Sequence, residues 1–418
     1  MQIYKFGGAS VKDAEGVRNL ANTLKSVGYK NTLIIVSAMG KTTNAMEKVI
    51  SNYFDARHEL NSSVQEVKKY HNHILLDLFE NETHDVFENI DSLFQKLLQF
   101  FDHNKSPDYN FVYDQVIAFG ELLSTSIISH YLDTIGLTNC WLDVRDYIKT
   151  DDYYRNAKVN WSQTQELIQS KIDTSKLNIT QGFIGSNSNN FTTTLGREGS
   201  DYTAAIFAFC LNAKSVTIWK DVPGILNADP RYFENAVLLS QISYTEAIEL
   251  SYYGASVIHP KTLQPLQRKE IPLLVKSFLN PEKEGSIVGK NLELTPKVPC
   301  FILKQNQTLI SVSSLDFSYI VEDNIRHIFG LLHDYKMKVS VIQNSAISFS
   351  VCVNNKYNRL EELLKNLRSK FKVTVFENVD LHTVRHFDTK ALASIENQKE
   401  KILLEQRAQE TIQYVVER

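Results

Sequence analysis

The 418-residue sequence predicts an α/β fold, a mostly parallel sheet covered by helices, followed by smaller modules of ferredoxin-like order. Three observations predict it. Strand-like and helical segments alternate from the first residues onward. Residues 32–37 (Thr-Leu-Ile-Ile-Val-Ser) are almost wholly apolar, as in a strand covered on both faces. Beyond residue 300 the order of segments is strand, helix, strand, strand, helix, strand, the ferredoxin-like plait.

In order, residues 1–6 read as a strand, and 13–27 have helical spacing through Val17, Leu20, Ala21 and Leu24 before the strand at 32–37. Such a βαβ unit implies parallel strands. Residues 42–101 are helical in pattern, with apolar pairs such as Leu75-Leu76 and Leu97-Leu98, and are expected to cover the sheet. An amphipathic helix at 114–132 carries Phe119-Gly120-Glu121, and strands at 176–183 and 216–219 flank a small-residue helix at 202–211. Ser243 stands at a capping-box spacing from Glu246, so a helix opens there, runs to Tyr253 and stops at Gly254. A strand follows at 271–278. Pro281, Gly285, Gly289, Pro296 and Pro299 then break the periodicity and mark the end of a first domain, 1–290. Strands at 308–313, 339–343, 347–353 and 372–377, with helices at 323–335 and 357–370, make a module over 299–378. Residues 379–418 repeat it in part and are expected to form an abbreviated second module.

Composition excludes several classes. Hydrophobic residues make up 43% and charged residues 22%, with a net charge of −3 and both signs interspersed, so a nucleic-acid partner is not expected. No continuous apolar run nears the ~20 residues of a membrane span, and no membrane partner is expected. The N-terminus has no basic stretch leading into an apolar one, so a cytoplasmic protein is expected. The four cysteines are scattered, without metal or disulfide spacing. Glycine is scarce, 16 in all, so its clusters at Gly7-Gly8, Gly182 with Gly185, and Gly196 with Gly199 point to backbone under special demands.

Four segments carry candidate chemistry. Lys5-Phe6-Gly7-Gly8 puts a lysine at the carboxyl end of the first strand, the edge where open α/β sheets bind ligands, ahead of two glycines whose N–H groups can approach an anion. Taken alone, the segment reads more readily as a tight turn beside a solvated lysine. In Leu195-Gly196-Arg197-Glu198-Gly199-Ser200-Asp201 a polar, glycine-rich run opens a helix. Ser200 reads as the N-cap and Asp201 as a first-turn carboxylate, whereas Arg197 has no structural excuse and suits a carboxylate or phosphate. Trp219-Lys220-Asp221-Val222-Pro223-Gly224 with Asp229-Pro230-Arg231 is either ordinary turn chemistry or a nucleotide loop. In Gly254-Ala255-Ser256-Val257-Ile258-His259-Pro260-Lys261 the histidine reads more readily as structural than as an acid or base.

Together with Ser37-Ala38-Met39-Gly40-Lys41-Thr42-Thr43-Asn44 and Phe119-Gly120-Glu121, these segments resemble, in order and spacing, the aspartokinases of the amino-acid kinase superfamily. The resemblance is dense over 1–290 and looser beyond. It implies the amino-acid kinase fold with C-terminal ACT-like regulatory modules. It also implies ATP-dependent phosphorylation of the side-chain carboxylate of L-aspartate, the first step toward lysine, threonine and methionine. Lys5 and Asp201 would then be catalytic, with Lys5 neutralising the transferred phosphoryl group. Ser37, Thr43, Glu121 and Arg197 would bind the substrate, Glu121 its ammonium and Arg197 its α-carboxylate. Gly7, Gly8, Asp221 and Arg231 would bind ATP. Magnesium is expected with the nucleotide, although no all-protein metal cage is visible. Three departures stand out: Glu198 where the family has glycine or a small residue, Lys220 in place of threonine, and Ser256 in place of a phosphate-reaching lysine, for which Lys220 or Lys261 could substitute. Val321-Glu322 replaces the glycine-containing effector turn, so end-product inhibition is expected to be weak. No dehydrogenase half follows, so a monofunctional chain is expected, and a homodimer through the C-terminal region would cover open sheet edges. The rival readings are a kinase for glutamate, acetylglutamate or a nucleoside monophosphate, or an inactive amino-acid sensor.

Overall fold

The computed structural model describes residues 1–81, 83–255, 258–316, 318–396 and 401–418, the side chains of 394–396 aside. These form two compact units. The first is Met1–Ile225, Leu238–Ile248 and Ile258–Leu294, and the second is Leu226–Val237, Glu249–Val257 and Thr295–Arg418. The second unit thus takes in two short stretches, 226–237 and 249–257, that the sequence reading puts within 1–290.

In the first unit, strands β1 (Gln2–Phe6), β2 (Thr32–Val36), β3 (Asn139–Leu142) and β4 (Leu177–Gln181) are followed by a hairpin of β5 (Ile184–Ser186) and β6 (Thr192–Thr194). Then come β7 (Val216–Lys220), β8 (Gln241–Ser243), β9 (Leu273–Ser277) and β10 (Ser286–Gly289). Apart from the β5–β6 hairpin, these make one sheet in the order β8-β10-β9-β7-β1-β2-β4-β3. Every neighbouring pair is parallel except β9 with β10, so the expected mostly parallel sheet is present. At its centre Ile3, Phe6, Leu33, Ile34, Ile35 and Val36 are fully buried, which accounts for the unbroken apolar run of β2.

On one side, Tyr4, Phe6, Ile34 and Val36 share a core with helices α1 (Ala14–Val27), α2 (Thr42–Asp55), α3 (Leu60–Leu78), α4 (Asp85–His103) and α5 (Tyr109–Thr134). Helices α3 and α4 pack on α1, α2 and α5, adding a second helical layer to the expected cover. Because side chains alternate along a strand, Lys5 faces the opposite side, where α7 (Gly199–Leu211) packs, with α6 (Trp161–Lys171) preceding it. Helix α8 (Tyr244–Tyr253) starts as expected, with the Ser243 hydroxyl accepting the Glu246 N–H at 3.1 Å, and α9 (Pro260–Arg268) packs on α7.

Helix α5 holds no continuous apolar run of membrane-spanning length, yet its composition as a whole is apolar. At 26 residues it is long and apolar enough to cross a membrane, but 83% of its apolar window is buried inside the protein, where it is a core helix. Its two acids inside that core, Asp114 and Glu121, belong to the site described below.

The second unit contains β11 (Cys300–Ser313), α10 (Glu322–Asp334), β12 (Lys338–Asn344), β13 (Ser348–Asn354), α11 (Leu360–Arg368) and β14 (Lys372–Arg385). This is the expected plait. Helix α12 (Thr389–Glu396), β15 (Lys401–Arg407) and β16 (Thr411–Glu417) follow. The sequence reading ends a strand at 377 and begins a separate module at 379. The structure carries one 14-residue strand across that break, matched by a β11 that begins at Cys300 instead of 308. Both modules therefore lie in one antiparallel sheet, in the order β12-β13-β11-β14-β16-β15. The two long strands bend where Asn306 (φ 55°) and Asn378 (φ 56°) enter the left-handed region, which asparagine tolerates better than most residues. The sheet curls until its edges approach, with the Gln343 amide donating to the Glu405 carbonyl at 3.5 Å. Val341 and Leu404, from opposite edges, share a core with Leu309, Cys352, Leu381 and Val415.

In α3, His71 is fully buried, its Nδ1 lying 2.8 Å from the Val67 carbonyl oxygen and its ring against Tyr70 and Phe94. Burial pulls its pKa from 6.5 down to about 4. Between those values the unfolded chain holds the extra proton, so stability is complete above pH 6.5 and is lost as pH falls toward 4, by up to about 3 kcal/mol. Denaturation midpoints measured from pH 7.5 to 4.5 are expected to fall less steeply for His71→Phe than for the native chain. Parallel profiles would exclude this residue as a source of acid lability.

Candidate active site

Six of the sequence-predicted residues line a single cavity of about 410 Å³ in the first unit: Lys5, Ser37, Thr43, Glu121, Arg197 and Asp201. Each arrives from a different local cause. Lys5, the penultimate residue of β1, meets Asp201 at 2.7 Å, and both side chains are largely shielded from water. Gly7 and Gly8 follow without lining the cavity. A Cβ on Gly7 would stand 3.4 Å from the Lys5 ammonium, and one on Gly8 would strike the Ala38 carbonyl oxygen at 2.6 Å. The Gly8 carbonyl in turn accepts the Gly40 N–H at 2.9 Å. The paired glycines therefore let the strand end pack directly against the loop that carries Ser37 and leads into α2, whose first turn holds Thr43.

Glu121 comes from α5. Its neighbour Gly120 allows that helix to approach the same loop, since a Cβ there would lie 3.1 Å from Ala38 Cβ and 3.3 Å from Thr42 Cγ2. Burial pushes the Glu121 carboxyl up to about 8, only partly offset by backbone N–H groups, and its Oε2 has no hydrogen-bond partner. A buried acid aimed at a cavity with an empty acceptor suits a cationic ligand.

The start of α7 completes the wall and corrects one expectation. The helix begins at Gly199, so Ser200 lies in its first turn and is not the N-cap. Glu198 occupies the cap position at φ 53°, in the left-handed region. That conformation explains why glycine suits this place, and here the Glu198 carboxylate is used instead to accept the His259 N–H at 2.8 Å. His259 also caps α9, its Nδ1 accepting the Lys261 N–H, which favours the structural reading of this histidine. Lys261 is committed to the Leu195 carbonyl at 2.9 Å and Asn156 Oδ1 at 3.1 Å. Ser256 lies outside the described residues.

Two predicted residues are not part of the cavity wall. Asp221 is exposed just past the end of β7, and Arg231 belongs to the second unit, where its guanidinium holds Asp229 at 2.6 Å. Sequence reasoning missed other lining residues, among them Tyr113, Arg155, Phe183 and Thr194. It also missed the buried Asp114, which accepts the N–H and hydroxyl of Thr194 at 2.8 and 2.9 Å and the N–H of Arg155 at 3.1 and 3.0 Å. The signal was present: Asp114 and Glu121 are seven residues apart, two turns along one helix, and so share a face.

The comparisons with known proteins agree with this arrangement. Residues 1–277 match the profile of the Amino acid kinase family. The lysine-sensitive aspartokinase 3 of Escherichia coli is 32% identical over 364 residues, covering 84% of this chain and 78% of its own length. The chain is a member of the aspartokinase family. A bifunctional aspartokinase/homoserine dehydrogenase of Arabidopsis thaliana is 30% identical, and the match covers 88% of this chain but only 42% of that longer protein. Two crystal structures of E. coli aspartokinase III match all of this chain and 96% of theirs. The complex with lysine and aspartate has a TM-score of 0.84 at 28% identity, and that with aspartate and ADP 0.82 at 27%.

Proposed function

We propose that this aspartokinase-family chain transfers the γ-phosphoryl group of ATP to the side-chain carboxylate of L-aspartate. The observation that carries this reading is the convergence of Lys5, Glu121, Arg197 and Asp201 on one cavity, in a chain whose E. coli relative is described in complex with aspartate and ADP. Glu121 offers a buried counter-charge for the substrate ammonium and Arg197 a fork for its α-carboxylate. The side-chain carboxylate is ionised at neutral pH, so it needs no general base. Its oxygen bonds to the γ-phosphorus as the bond to the ADP oxygen breaks, giving an acyl phosphate and ADP with no proton transferred. Charge on the equatorial phosphoryl oxygens is met by Lys5, which Asp201 holds in place, and by the positive end of α7. Bound with the nucleotide, magnesium would neutralise charge on its phosphates. Gly7, Gly8 and Asp221, all of the first unit, are proposed for ATP.

Coupled ADP release across a panel of L-aspartate, glutamate, acetylglutamate and nucleoside monophosphates tests the assignment, with turnover expected on aspartate alone. Lys5→Met is expected to lower kcat on the order of 100-fold or more, with a smaller effect on the KM for ATP. Unchanged turnover in the folded variant would remove Lys5 from the mechanism.

The raised pKa of Glu121 adds a linkage. Near pH 7 the empty site holds a protonated carboxyl, because its pKa is about 8. Binding an ammonium favours the ionised form, so close to one proton is released at pH 7 and aspartate affinity weakens as pH falls below 8. Calorimetry in two buffers of different ionisation enthalpy measures that release directly. Binding without proton release would place the ammonium elsewhere.

A homodimer through the second unit completes the proposal. The strands Lys338–Asn344 and Lys401–Arg407 end the sheet with no backbone ladder between them, and Leu315, Tyr319, Val321 and Ile347 are exposed apolar side chains of that unit. Light scattering is expected to give twice the 47.8 kDa chain mass, and a monomer at micromolar concentration would refute the assembly.

A further inference from the structure

We infer that Arg155 is a second guanidinium of the acceptor pocket, gripping the α-carboxylate of the amino-acid substrate together with Arg197. This rests on the aspartate-kinase reading. Arg155 lines the cavity from a loop with no helical or strand pattern, and its backbone sits at φ 68°, where side-chain-bearing residues are disfavoured. Such a conformation persists only where the surroundings impose it. Here they do so twice. Both oxygens of the buried Asp114 take the Arg155 N–H, and the same carboxylate holds the backbone and hydroxyl of Thr194. The guanidinium lies over the Tyr113 ring at 4.3 Å and near that of Tyr109 at 5.8 Å, while the Tyr113 hydroxyl is tied to Glu47 at 3.0 Å.

The position of this loop decides what the guanidinium is for. A Cβ on Gly196 would lie 2.6 Å from Asn156 Oδ1 and 3.4 Å from the Arg155 carbonyl oxygen, so the loops bearing Arg155 and Arg197 touch. Among the described residues neither guanidinium makes an ion pair, and both are exposed at the cavity. Two cations on touching loops repel, an anion bound by both relieves that repulsion, and a guanidinium fork matches a carboxylate bidentately. The substrate is thereby read as an amino acid with a free α-carboxylate, its ammonium at Glu121 and its carboxylate between two arginines. Asp114 and Tyr113 act as positioning residues.

Arg155→Gly is the informative variant, because glycine accepts φ 68° and the turn is kept. Relative to the native chain, the KM for aspartate is expected to rise on the order of 10-fold or more, while the KM for ATP changes by less than about two-fold. Preference for L-aspartate over its α-amide should narrow by a similar factor, and Arg155→Lys should recover only part of it, since an ammonium lacks the fork. Unchanged aspartate kinetics in a variant melting at or above the native temperature would overturn the assignment, as would an equal rise in both KM values, which would place Arg155 at the phosphates. A native chain without aspartate-dependent ADP release would overturn the activity itself, and this assignment with it.

Discussion

The contact between Lys5 and Asp201 is the constraint from which the rest of the site follows. It joins the central strand β1 to the first turn of α7 across 2.7 Å, with both side chains largely shielded at the cavity wall. A shielded ion pair adds little net stability, because desolvation offsets much of the attraction, but leaving either partner alone is costly. Its effect is to fix geometry. A one-residue slip of β1 would turn Lys5 toward the α1–α5 side and push Tyr4 and Phe6 against α7. Held in register, the lysine stands at the mouth of the sheet with the positive end of α7 beside it, and the Gly7-Gly8 turn can then pack onto the loop that carries Ser37 and leads into α2.

Around that pair the protein spends stability on charge. Glu121 is kept in the core with an oxygen unsatisfied, and burial raises Asp114 to about 6 even though it accepts four hydrogen bonds. Arg155 and Glu198 hold backbone conformations that favour glycine. These four fall on the cavity wall and on Asp114, which braces it, while other such features, His71 in α3 and left-handed Glu270 and Lys336, lie elsewhere. Concentrated strain and buried charge of this kind mark a binding surface that is formed before its ligand arrives.

Much of this was legible in the sequence. Helix periods, the apolar β2 and the plait order gave the architecture, and residues with no local structural duty, above all Arg197, pointed to the site. What escaped had physical reasons. The long strands Cys300–Ser313 and Lys372–Arg385 bend at asparagines, which read as turns, so each looked shorter or split. Ser200 is a good N-cap by type, but the hydrogen bonds of the loop carry the helix back to Gly199. Arg155 lies in an aperiodic run where no pattern reveals φ, and only the fold brings that loop against Gly196. Asp221 and Arg231 lie close in sequence, yet they fall in different compact units, which spacing along the chain could not show.

The shared strands of the second unit carry a consequence of their own. Each 14-residue strand runs through both modules, and Arg418 near the chain end reaches Asp380 at 2.9 Å and Asn306 at 3.3 Å, closing the bend between them. Neither half has a complete set of strands without the other. The two modules therefore melt as one cooperative block, and amides on either side of Asn306 and Asn378 share a single opening free energy. A disturbance that loosens one module is felt by the other through continuous backbone, with no intervening linker to absorb it.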